Sequence, residues 1–224
     1  MFEQYLYSQA PAWEKIGFQI NWRAECEDIG PDYEGFAVTD WHGEVFINQE
    51  EENKWGDPTP IQIGRVHFSL INAERVSDWH EVLEFTERTA YFKELYRPIE
   101  PIRALRNRLE GYAIYDRPNV LMLHSLEILP QFRKKGFGFA VLTQMLNRFQ
   151  PGTGYAVLCA APMDKSSRWK PASDFDREMK PRIADDYDAI AKQAGKRLRT
   201  HYAKVGFQRI ARTDFMALPL GEPY

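Results

Sequence analysis

The stretch 120–142, Val-Leu-Met-Leu-His-Ser-Leu-Glu-Ile-Leu-Pro-Gln-Phe-Arg-Lys-Lys-Gly-Phe-Gly-Phe-Ala-Val-Leu, constrains this chain more than any other. A strand-type apolar run ends at Pro130. A short basic loop with two glycines follows, Arg133-Lys-Lys-Gly136-Phe-Gly138, and an amphipathic helical pattern then begins. Strand, glycine loop and helix N-terminus together make an anion site. The first backbone N–H groups of a helix have no internal acceptor, and the helix dipole favours negative charge there. Glycine at 136 and 138 leaves room for a phosphate against the backbone. Arg133, Lys134 and Lys135 add charge attraction.

Several phosphate loops share this outline. A P-loop needs G-x-x-x-x-G-K-[ST], which the chain lacks. A dinucleotide fingerprint needs a third Gly or Ala where Val141 stands, and an acidic ribose partner further on, which is missing. What remains is R-x-x-G-x-G directly after a strand ending in proline, set against an ordinary basic strand-to-helix turn.

Composition narrows the class. The 224 residues suffice for one full core, and 44% hydrophobic content argues for a folded chain. A net charge of −3 argues against broad nucleic-acid binding as the main task, although a local basic patch stays open. Cys26 and Cys159 give neither a metal spacing nor a disulfide framework, and Cys159 reads as a buried thiol. His42, His67, His80 and His201 show no ligand spacing and HExxH is absent, so no metal is expected. No run approaches the roughly 20 apolar residues of a membrane span. The N-terminal segment lacks the regions of a signal peptide. The expectation is a cytoplasmic protein without membrane contact.

Periodicity predicts the elements. Residues 16–22 alternate as a strand. Residues 35–39 and 44–48 read as two short strands joined by a turn at Trp41-His42-Gly43, and residues 61–71 as another. A polar loop is expected from Glu50 to Pro60. Helical patterns follow from Ser77 to about Tyr96 and from Pro101 to Gly111. After the motif strand and loop, a helix buries Leu142, Met145, Leu146 and Phe149 and stops at Pro151-Gly152. Tyr155–Cys159 reads as a central strand. A polar, proline-punctuated segment, 162–182, leads to a helix from about Ile183 to Gly206, then to strands at 207–210 and 214–218.

The loop R-x-x-G-x-G after its strand resembles the acyl-CoA-binding motif of the GNAT superfamily of N-acetyltransferases. The segment His201-Tyr-Ala-Lys-Val-Gly-Phe resembles the Tyr-x-x-x-Gly-Phe helix-to-strand step of the same family, and its order after the loop agrees. The clear resemblance covers about 120–217. It implies a mixed α/β (α+β) single domain over 1–224, with a central, mostly antiparallel twisted sheet flanked by helices. Two departures lie at 77–110, an extra helical pair, and at 162–196, a polar insertion. Both fall where acceptor specificity is usually built.

The resemblance also implies chemistry. Acetyl-CoA, or another acyl-CoA, would be the donor, and a small-molecule or peptide amine the acceptor. Backbone amides of Arg133, Lys134, Lys135, Gly136, Phe137 and Gly138 would hold the pyrophosphate. The backbone of Leu126 and Ile128 would pair with the pantetheine arm. Tyr202 matches the family's general acid, and His124 occupies a strand position where some members carry a base. Glu127 is a second base candidate if a bulge interrupts the strand. A buried hydrogen-bonded histidine and a packed tyrosine are the bland readings of the same residues. Trp41, Trp55, Trp79 and Trp169 are pocket candidates or core residues. Three alternatives stay open: an acyl-CoA sensor without transfer, a macromolecular acceptor including nucleic acid, and a homodimer.

Overall fold

Period-two alternation builds the first half of the sheet. In strand β2 (Val38–Glu52), Trp41, Gly43 and Val45 alternate with Asp40, His42 and Glu44. In β3 (Pro58–Asn72), Val66 and Phe68 alternate with Arg65, His67 and Ser69. A strand with this pattern buries one face and leaves the other polar. The computed structural model describes residues 17–26, 38–52, 58–72, 119–160, 187–210 and 214–220. The helical patterns of 77–111, the polar segment 162–182 and Trp55, Trp79 and Trp169 lie outside the described residues.

The remaining elements are β1 (Gln19–Cys26), β4 (Asn119–Ile128), helix α1 (Phe137–Phe149), β5 (Thr153–Cys159), helix α2 (Tyr187–Ala203), β6 (Gln208–Arg209) and β7 (Phe215–Pro219). The seven strands form one sheet in the order β1-β2-β3-β4-β5-β7-β6. Neighbours run antiparallel except β4 and β5, which are parallel and joined through α1. The described chain is thus a mixed α+β fold with a mostly antiparallel sheet. No helix in it is long and apolar enough to cross a membrane.

Helix α1 lies on the apolar face and is fixed at both ends by aromatic rings. At its C-terminus Phe149 meets Phe68 at 4.7 Å, Trp41 at 4.8 Å and Trp22 at 5.5 Å, all edge-to-face. At its N-terminus Phe137 stacks on Phe18 at 6.1 Å and meets Phe132 at 6.2 Å. Such pairs contribute about 0.5–1.5 kcal/mol each beyond the burial itself. Between them Val141, Leu142, Met145 and Leu146 fill the core with Leu121, Leu123 and Leu158. Helix α2 adds Leu198 and Tyr202 to the same cluster, and Val205 in the turn after it joins them. Arg199 Nη1 reaches Asp214 Oδ1 at 2.5 Å, tying α2 to the start of β7.

Three sequence expectations change. Trp41-His42-Gly43 is no turn but the middle of one continuous strand, paired on both sides with Trp22–Ala24 and Val66–Phe68. Gly43 is there for space: a Cβ would sit 2.8 Å from Trp22 Cζ3 and from Val66 Cγ1. Trp41, a candidate for an acceptor pocket, packs into the aromatic cluster instead. The polar loop also begins later than Glu50, because β2 continues to Glu52.

Gly64 sets the spacing of β3 against the end of β4. It pairs with Ile128, and a Cβ at 64 would lie 2.6 Å from the Glu127 carbonyl oxygen. Backbone cannot swing aside as a side chain can. Gly64→Ala should therefore cost about 1–3 kcal/mol, read as a lower urea midpoint. An unchanged midpoint would contradict this register.

Candidate functional site

Strand β4 changes partners partway along its length. Its ladder with β5 ends at Leu123↔Leu158, whereas its ladder with β3 continues to Ile128. At the same point β4 carries a bulge: His67 pairs with Ser125 and Phe68 with Leu123, so His124 is the extra residue. A bulge bends its strand and increases the local twist. Here β4 follows β3 and parts from β5. Leu129 N–H donates to Ile63 O at 2.8 Å on the β3 side. By alternation, the backbone groups of Leu126 and Ile128 face the opposite edge, toward the split.

The loop lies directly beyond that edge. Pro130–Phe132 forms one 3-10 turn. Arg133 Nε donates to Ile128 O at 2.8 Å, so this cation braces the loop against the strand end. Lys134 and Gly136 both take left-handed conformations, at φ 63° and 88°. At 136 glycine adopts this freely, whereas Lys134 carries a cost of about 1 kcal/mol or more. Gly136 is the N-cap of α1, where no side chain caps the helix and the first turn holds no acidic residue. The first amides with an intrahelical acceptor are Phe139 and Ala140, both on Gly136 O at 3.0 Å. Amides before them point out of the helix start. Lys134 and Lys135 are exposed, and Lys135 Nζ sits 5.4 Å above the Phe132 ring. Phe137 contributes only its backbone, since its ring is core.

The polar face of the sheet collects a second group. Ser69 Oγ donates to Asp40 Oδ1 and lies 2.5 Å from His124 Nε2. The hydroxyl has one proton, given to the carboxylate, so His124 Nε2 is the donor to Ser69. In the neutral ring the lone pair then sits on Nδ1. His42, His67 and His124 stack in series, with centroids 4.3 Å and 4.6 Å apart. Glu127 accepts from Arg65 through both oxygens, at 3.2 and 3.4 Å, and its side chain is 4% exposed. The bulge therefore brings His124 and Glu127 onto one face. Both Glu127 oxygens are engaged by the guanidinium.

Tyr202 lies elsewhere in the same region. Its ring meets Phe207 at 6.0 Å and His201 at 5.7 Å. Burial, and secondarily the nearby Cys159, push its phenol up to about 12. Cys159 directly follows the last β5 residue paired to β4, as His124 directly follows its partner. His201 is lowered by burial and by Lys204, and its ring meets Phe139 of α1 at 6.5 Å.

The residues predicted from sequence thus divide into a loop, a strand edge, a polar face and a buried phenol around one split. Asp40, Ser69 and Arg65 were missed. Their signal was the polar half of the alternation in β2 and β3, which gains meaning only when the strands are paired. Comparison of the chain with protein-family models finds no match, and comparison with curated protein sequences finds none.

The phenol sets a stability-versus-pH expectation. A folded value near 12 against an unfolded value of 10.0 means the native state keeps a proton that the unfolded chain releases. This contribution is complete below about pH 10 and is lost as pH rises toward 12. Tyr202→Phe should flatten the alkaline decline of stability, followed by denaturant unfolding between pH 9 and about 11.5. Equal slopes in both proteins would contradict the buried phenol.

Proposed function

We propose that this chain is a GNAT-type acyltransferase. It moves an acyl group, acetyl in the simplest case, from an acyl-CoA to a primary amine by direct attack in a ternary complex. One observation carries the reading: the sheet parts at Leu123, and the freed edge of β4 runs straight into an uncapped helix start bearing R-x-x-G-x-G. A thioester on a long amide-bearing arm, with a pyrophosphate at its far end, fits that pair of features. The arm's amides would pair with Leu126 and Ile128, and the pyrophosphate would take the amides of 134–138.

The chemistry follows from the neighbouring groups. The amine nitrogen attacks the thioester carbon, the C–N bond forms and the C–S bond breaks. The neutral His124 ring, donating to Ser69 through Nε2, takes the amine proton at Nδ1. Glu127 serves as the ion-pair partner of Arg65 rather than the base. Tyr202 is protonated at any physiological pH, as a donor to sulfur must be. A phenol near 12 is a weaker acid than a thiol near 8.5, so complete transfer to the thiolate is uphill by roughly three to four units. Tyr202 therefore acts as a hydrogen-bond donor to the developing thiolate, which collects its proton from solvent. Loss of one such donor costs about 10²-fold in kcat. Tyr202→Phe should show that loss with little change in KM, and undiminished turnover would remove Tyr202 from the mechanism.

The phosphate site has a test that spares the fold. At Gly136 any side chain would be strained by the left-handed backbone. Among the described residues, a Cβ at Gly138 meets only Ile128 Cγ1, at an ordinary 3.8 Å. Aspartate at 138 also suits the first turn of a helix. Gly138→Asp should keep or raise the Tm while weakening acetyl-CoA binding at least about tenfold in calorimetry, by charge repulsion. Unchanged affinity in the folded variant would sink the site. CoA release, followed with a thiol reagent across a panel of amines and peptides, then tests transfer. Tight binding with no turnover on any acceptor would instead assign an acyl-CoA sensor.

A further inference from the structure

Asp40 of β2, His67 of β3 and His124 of β4 each offer one ligand atom, and these atoms lie within 4.8 Å of one another. We propose that they form a binding site for a divalent transition-metal ion of the zinc class. Zinc holds nitrogen and oxygen donors at about 2.0–2.2 Å, so donors sharing an ion stand roughly 3–4 Å apart. His67 Nε2 and Asp40 Oδ1 are separated by 3.9 Å. That is too far for a hydrogen bond and suits two ligands across one ion.

The surroundings hold the donors in place. His67 is 9% exposed, and its ring is clamped between His42 and His124. His42 is steadied in turn by Glu25, with 3.8 Å between Nε2 and Oε2. Ser69 Oγ contacts both Asp40 and His124, an outer partner of the sort that orients ligating carboxylates and imidazoles. Two imidazoles and one carboxylate suit zinc and its neighbours in the series. They suit neither calcium nor magnesium, which take oxygen, nor copper(I), which takes sulfur. Three protein ligands leave a fourth position for water or a substrate atom.

The site stands on these ligand atoms and not on the acyl-transfer reading. The two still constrain each other. A neutral imidazole has one ring lone pair, so His124 can ligate an ion or accept the amine's proton, but not both at once.

The test uses the untagged full chain, stripped with a chelator and free of CoA. Titration with Zn²⁺ in calorimetry should give one saturable site and a Tm that rises with zinc. X-ray absorption at the zinc edge of the wild type should report two imidazoles among light donors. His67→Gln and Asp40→Asn should each weaken binding by about 100-fold, whereas His201→Gln should leave it unchanged. No saturable binding to the wild type, an edge without two imidazoles, or wild-type affinity in both variants would overturn the proposal. The edge measurement decides even if neither variant folds. Because no acyl-CoA is present, its outcome is independent of whether transfer occurs.

Discussion

One extra residue in β4 organises the rest. With His124 inserted against β3, the strand can no longer serve two neighbours along its full length. It stays with β3 to Ile128 and leaves β5 after Leu123. Interior strands normally satisfy their backbone on both sides, because unpaired N–H and C=O groups are costly when removed from water. Among the described residues the sheet opens from within at this point, and the proposed function uses the edge it leaves on β4. Arg133 reaches back to cover the Ile128 carbonyl, which shows one way the chain limits that cost.

The opening matters because α1 cannot follow it. Phe137 holds the start of the helix against Phe18 and Phe132, and Phe149 holds its end among Trp22, Trp41 and Phe68. The helix start is thereby fixed beside the strand edge, and its outward amides remain where the loop leaves them. Lys134 in a left-handed conformation fits this picture. Such backbone persists where packing over-determines it.

The loop, the helix after it and the final helix-to-strand step were legible in the sequence, because each is local: glycine, charge and 3.6-residue spacing lie within a few positions. The split was not legible. It arises from pairing between strands whose partners are remote, and the two adjacent polar residues His124 and Ser125 mark the bulge only once β4 is set against β3. The turn expected at Trp41-His42-Gly43 failed for a related reason. Glycine in sequence suggests a bend, whereas here its lack of a side chain admits the Trp22 ring from the next strand. Histidine spacing along the chain likewise concealed the group formed by Asp40, His67 and His124, which only the pairing of three strands assembles.

The polar face itself argues for function over stability. Buried polar groups cost free energy unless fully hydrogen-bonded, and buried ion pairs often lose to apolar residues of the same size. Strands β2 and β3 already supply an apolar face that packs with α1, so the fold does not need Asp40, His67, Ser69, Arg65 and Glu127 for its core. Apolar residues at these positions would satisfy the same alternation at lower desolvation cost. Their presence concentrates several buried polar groups on the face shared by His124, at the point where the sheet opens. Where local choices depart from what stability alone would select, the departures collect at functional sites. Here they meet on the face of the bulge, next to the freed edge of β4.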